Sequence, residues 1–206
     1  MTVVNHLQVF IYALCTLISG FMLFYYIYLY GTSIRYHTPV YLIIFVGLFG
    51  WALLSLLQSV STDIYVWTTL NAISYYFIYC MGLSVVYIAL HTLAIGYNQR
   101  SRIVFLIHSA LSIFTLSIVT FQLIAAVNFL YPNPFTLEIV SRPSAYGPYT
   151  EIHGPLFHVL LYPSTAFVFA SILILMHQAV RSRSSVVKKR SDYLAVYFMV
   201  GFIGQL

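Results

Sequence analysis

The sequence has 206 residues, of which only 6% are charged and 61% are apolar or aromatic, against roughly 25% charged and 45–50% apolar in a soluble domain. That composition excludes a water-solvated globule. The length admits about six or seven membrane helices of about 20 residues and leaves no room for a separate soluble domain. The net charge of +5 therefore informs topology through its position along the chain, and no nucleic-acid partner is expected.

The first apolar run, 7–30, has no positive charge before it and outlasts the roughly 7–15 apolar residues of a signal peptide, so it should remain as a helix. The bulky Leu14 before Cys15 argues against a lipoprotein cleavage box. Cys15 and Cys80 both lie inside apolar runs and read as buried thiols rather than a disulfide pair. A polar break ending at Pro39 leads into a second span, 40–60. The short link Ser61-Thr62-Asp63 then makes an antiparallel hairpin with the third span, 64–94, which is too long for one untilted crossing and should extend into the interface. A basic break follows, and 103–130 forms the fourth span.

The segment 131–154 holds Pro132, Pro134, Pro143 and Pro148 together with Glu138, Arg142 and Glu151. Such a composition cannot continue a helix through lipid, so this is the one substantial loop. The fifth span, 155–178, contains Pro163, which should kink it and free a backbone carbonyl. A basic link over 181–190 precedes a sixth apolar segment, 193–206, of about 14 residues, or roughly 21 Å of helix. The expected architecture is all-α: a polytopic transmembrane helix bundle forming a single domain over 1–206, with five full spans and an incomplete sixth. The short last segment leads us to expect a chain cut from a longer one, with a seventh span beyond Leu206; a complete small protein with a tilted or half-inserted final helix is the alternative.

Short cytoplasmic loops are enriched in Lys and Arg. With the N-terminus outside, Arg35, Arg100, Arg102, Arg181, Arg183, Lys188, Lys189 and Arg190 all fall in the cytosol, and Arg142 alone falls outside. The expectation is a multi-pass protein of the plasma membrane, N-terminus outside, with lipid as its first partner.

Charge within the spans, which would mark ion coupling or a proton relay, is missing from the sequence. No span lysine is present to carry a retinal Schiff base, and no paired nucleophile and base suggests catalysis. His91, His108 and His177 near the cytoplasmic ends of the spans, with His153 and His158 near the outer end of the fifth, leave haem held between helices as an alternative. No His-x-x-His or His-x-x-x-His pair occurs, so neither a metal site nor a cofactor is expected.

Uncharged polar residues do share faces: Asn71, Ser74, Ile78 and Gly82 on span three, and His108, Ser112, Thr115 and Gln122 on span four, each set within about 80°. These faces should turn inward. Gly47, Gly50, Gly201 and Gly204 read as packing notches. On the outer side, Trp67, Asn71 and Tyr75 should lie beneath the 131–154 loop, where Tyr146, Tyr149, Glu151 and His153, with His158 on span five, offer a ligand pocket. The competing reading of the aromatics is an interfacial belt.

The run from Trp51 to Asp63 with Trp67 and Tyr75 following, then Tyr146-Gly147-Pro148, His153-Gly154-Pro155-Leu156-Phe157 and the basic residues before Arg190-Ser191-Asp192, resembles the seven-helix N-terminal sensor region of bacterial histidine kinases and diguanylate cyclases. The resemblance implies the input region of a signal-transduction receptor, with an extracellular or membrane-borne ligand, a second copy of the chain as an open partner, and any kinase or cyclase domain beyond these residues. It transfers no catalytic residue. A small-solute carrier or channel, built around the break at Pro163, is the alternative, with a haem redox protein behind it.

Overall fold

A computed structural model describes residues 6–30, 38–96, 101–141 and 147–181. The elements run α1 (His6–Tyr30), α2 (Thr38–Val60), α3 (Ile64–Gly96), α4 (Ser101–Val127), β1 (Thr136–Val140), β2 (Thr150–His153) and α5 (Pro155–Arg181). Four of these helices are long and apolar enough to cross a membrane, over His6–Tyr28, Val40–Val60, Ile64–Leu90 and Phe105–Val127. Helix α5 has 27 residues and carries a shorter apolar stretch, Val168–His177. It continues as helix on both sides of Pro163. The expected sixth span and nearly all of the basic link before it lie outside the described residues.

The helical faces explain the composition. On α1, Leu7, Phe10, Leu14, Leu17, Phe21 and Phe24 are exposed at helical spacing, a continuous apolar stripe far larger than a soluble monomer tolerates. A helix can present such a face to lipid because its backbone hydrogen bonds are closed internally. The four long apolar helices thus mark the chain as a membrane protein. Cys15 lies exposed on α1 and Cys80 is half-buried, so the expected burial of Cys15 is corrected: its position on the helix faces outward.

The chain divides into two compact units, one of Met1–Ser84 with Ser112–Leu161 and the other of Val85–Leu111 with Tyr162–Leu206. In the first, α1 packs on α2 where Gly20 meets the ring of Phe49, with Tyr26 and Phe45 4.9 Å apart. Gly47 and Gly50 are packing notches: a Cβ there would strike Met81 and Phe77 of α3. Tyr79 of α3 packs on Val119 of α4, and the Tyr76 hydroxyl hydrogen-bonds that of Thr120. The inward polar faces hold Ser74, Thr115 and Gln122, all buried. In the second unit, Tyr87 meets His108 edge-on at 5.1 Å, and Ile172 and Leu175 are buried.

The α2–α3 turn is set by Asp63, whose carboxylate accepts the N–H groups of Tyr65 at 2.8 Å and Val66 at 3.0 Å. This is an N-cap, and Asp63→Ala should destabilise the hairpin by about 1 kcal/mol. Thermal unfolding in nanodiscs checks it, with Asp63→Asn expected near wild type.

Span four ends earlier than the expected 130. After Val127, Phe129 takes a left-handed conformation (φ 51°). The Leu130 N–H reaches the Ala125 carbonyl at 2.9 Å and the Phe129 N–H reaches that of Ala126 at 3.1 Å, the paired bonds of a Schellman stop. Phenylalanine replaces the usual glycine there, its ring 4.4 Å from Tyr65 and 5.1 Å from Tyr131.

The larger correction concerns 131–154. The expected all-α chain carries a two-stranded antiparallel sheet in this loop, pairing Glu138 with Ile152, Ile139 with Glu151 and Val140 with Thr150, with an irregularity between Thr136 and Glu138. The β-branched residues of Thr136–Val140 suit a pleated strand, and the prolines that exclude a helix lie outside both strands. Asn133 starts the hairpin by accepting the N–H groups of Phe135 and Thr136, each at 2.9 Å. Gly154 closes it, donating to the Phe135 carbonyl at 2.7 Å.

Candidate functional site

Glu151 organises the site. It sits on β2 with its side chain only 7% exposed, and a buried carboxylate must have its oxygens satisfied. The neighbouring elements supply the donors. From α3, the Asn71 amide donates to Oε2 at 2.6 Å and the Tyr75 hydroxyl to the same oxygen at 3.0 Å. These two residues stand four apart and so share a helix face. From β1, the Thr136 hydroxyl donates to Oε1. Behind Asn71, the Gln58 amide of α2 donates to Asn71 Oδ1 at 3.1 Å, so a chain of amides runs from α2 through α3 to the hairpin.

His153 stands two residues further along the strand. Its ring stacks on Phe157 at 3.6 Å, nearly parallel. Its Nδ1 is buried and lacks a hydrogen-bond partner, at 3.7 Å from Glu151 Oε1 and so beyond hydrogen-bond reach. Phe157 in turn meets Tyr75 edge-on at 5.7 Å. His158 is exposed, its ring 6.4 Å from that of His153.

Trp67 is only 2% exposed and lies one helical turn before Asn71, under the far side of the hairpin. Tyr149 packs its ring 5.8 Å from the indole and donates its hydroxyl to the Thr62 carbonyl at 2.6 Å. Beside the indole runs Gly147, with φ +128°, where a Cβ would lie 2.6 Å from the Gln58 carbonyl oxygen. The hairpin therefore attaches to α2 and α3 at two places, Gly147–Tyr149 on the turn and Glu151 on the helix face.

A cavity of about 10 Å³ remains beside Glu151, lined by Thr68, Asn71, Gln122, Tyr131 and Thr136 with two alanines. That is the room of a single water. Burial first, and then the charge of Glu151, push the Tyr131 phenol above its ordinary value of 10.0. The folded state thus holds this proton more tightly than the unfolded chain. The linked stability is complete below the unfolded value and is lost as pH climbs beyond it. Tyr131→Phe should accordingly flatten the fall of melting temperature above about pH 10, and an unchanged slope would disprove the coupling.

Of the residues singled out in the sequence, Asn71, Tyr75, Glu151 and His153 converge, with Trp67 and His158 at the margins. Tyr146 lies outside the described residues. Sequence reasoning overlooked Gln58, Thr136 and Tyr131 as members of the site. Gln58, three residues before the turn, was the most accessible of these, because a glutamine that deep in an apolar span needs a partner. The other two depend on the hairpin. No family model, curated protein or solved structure matches the chain.

Proposed function

We propose that the chain is the membrane-embedded input region of a receptor, in which the β1–β2 hairpin is a cap latched to α3 through Glu151. The observation that supports this reading is the double attachment of Glu151 to Asn71 and Tyr75. It joins a surface element to a 33-residue helix through groups that must exchange partners together. The cavity has room for about one water, so a ligand of several atoms bound at Glu151 would displace the cap. Ligand binding and latch release are then one event, and the ligand shifts the equilibrium by its differential affinity for the two packings. On the resemblance noted above, the output is a kinase or cyclase domain. The cap faces the cell exterior, with the N-terminus outside and five full spans.

Three experiments bear on this. In a background lacking Cys15 and Cys80, a membrane-impermeant thiol reagent should label a cysteine at Ser144 and spare one at Ser184; the reverse pattern would refute the orientation. For the receptor itself, the protein in nanodiscs is screened by thermal shift against panels of metabolites, lipids and short peptides. A compound that stabilises wild type but not Asn71→Ala, and that alters hydrogen exchange in 136–140 and 150–153, supports the proposal. Uptake of such a compound into proteoliposomes, lost in Pro163→Ala, would assign the chain to carriers instead.

A further inference from the structure

We propose that the cavity beside Glu151 is a binding site for a small monovalent cation such as sodium, held by the Glu151 carboxylate together with neutral oxygens of Gln122, Thr68 and Tyr131. Three observations on separate elements converge on it. The first is charge: Glu151 is almost wholly buried, and among the described residues it pairs with no lysine or arginine, His153 lying 3.7 Å away. An unbalanced buried carboxylate is costly, and a bound cation removes most of that cost.

The second is an unused donor set. Gln122 of α4 is only 4% exposed and lines the cavity, yet its side-chain amide makes no hydrogen bond among the described residues. The Tyr131 hydroxyl lines the same cavity, likewise without a hydrogen bond. The amide opens onto the cavity, which is where a partner for it would sit. The hydroxyl of Thr68 donates to the Ile64 carbonyl at 2.6 Å, leaving its oxygen free to accept or ligate.

The third is size and hardness. The lining offers oxygen and no sulfur or imidazole nitrogen, which suits hard cations rather than transition metals. One carboxylate balances a single positive charge, whereas calcium sites gather several charged ligands. A volume of one water admits a single bare monovalent ion. The site shares Glu151 with the receptor proposal but does not rest on it, because ion binding needs no signal to be measured.

The test is thermal unfolding of the chain in nanodiscs at fixed ionic strength, with choline chloride exchanged for sodium chloride. At a sodium concentration about tenfold above its Kd, the melting temperature should rise by about 3–6 °C. The rise should be absent in Glu151→Gln. Gln122→Leu, which retains the carboxylate, should need several-fold more sodium for half of the effect. Equal melting temperatures in choline and sodium would show a buried water only and overturn the proposal. So would a sodium effect unchanged in either variant, or a calcium effect exceeding that of sodium. None of these outcomes touches the receptor reading, which depends on displacement of the cap.

Discussion

Replacing Glu151 with alanine should release the hairpin from the membrane helices at a cost of about 3–5 kcal/mol, the range found when one partner of a buried charged group is removed. Asn71, Tyr75 and Thr136 each lose their acceptor, and each unsatisfied buried donor carries a penalty of about 1–3 kcal/mol. The sum is capped by the free energy of local opening, because once the cap lifts, water satisfies all three. Amide hydrogen exchange in 136–140 and 150–153 should therefore accelerate, while that in the middle of α2 and α3 stays slow. Glu151→Gln should lose less, since its carbonyl still accepts from Asn71 and Tyr75 and its amide can donate to the Thr136 oxygen. If exchange in the hairpin of the alanine variant matched wild type, Glu151 would not be the latch.

Gly147→Ala is expected to cost about 2–4 kcal/mol, combining a backbone conformation close to glycine-only with a collision. The added Cβ would stand 2.6 Å from the Gln58 carbonyl oxygen and 3.2 Å from Trp67 Nε1. The carbonyl is part of the α2–α3 turn, where it accepts the Ser61 N–H at 3.2 Å, so it has little freedom to retreat. The strand end must lift instead, carrying Tyr149 away from the indole, and Trp67 fluorescence should shift to the red as water enters. Gly20→Ala is the control: its Cβ would meet only the ring edge of Phe49 at 3.1 Å, a side chain that can yield. Comparable losses in the two variants would place the effect in general packing rather than at Gly147.

The membrane helices were legible because hydropathy and helical period agree along them, and the α2–α3 hairpin because three residues permit nothing else. Half of the site was legible for the same reason: Trp67, Asn71 and Tyr75 recur every four residues, so one face of α3 carries them all. The cap was not. Glu138 and Glu151 are equivalent in composition, yet Glu138 is exposed and Glu151 is buried against α3. Strand parity decides which points inward, and parity here is shifted by the irregularity between Thr136 and Glu138, since one extra residue exchanges the faces of everything beyond it. The four prolines disguised the strands by dominating the segment's composition while sitting outside them. Phe129 hid the end of α4, because a left-handed helix stop is usually announced by glycine.

The attachments of the cap also impose an order on biogenesis. Tyr149 reaches back 87 residues to Thr62, and Glu151 reaches back 80 to Asn71. At about 5–20 residues per second, Glu151 leaves the ribosome about 4–16 s after Asn71. Throughout that interval Gln58 and Asn71 have only each other within the apolar spans, and Tyr75 has no acceptor. The nascent α2–α3 pair therefore carries unsatisfied polar side chains while α4 is being inserted.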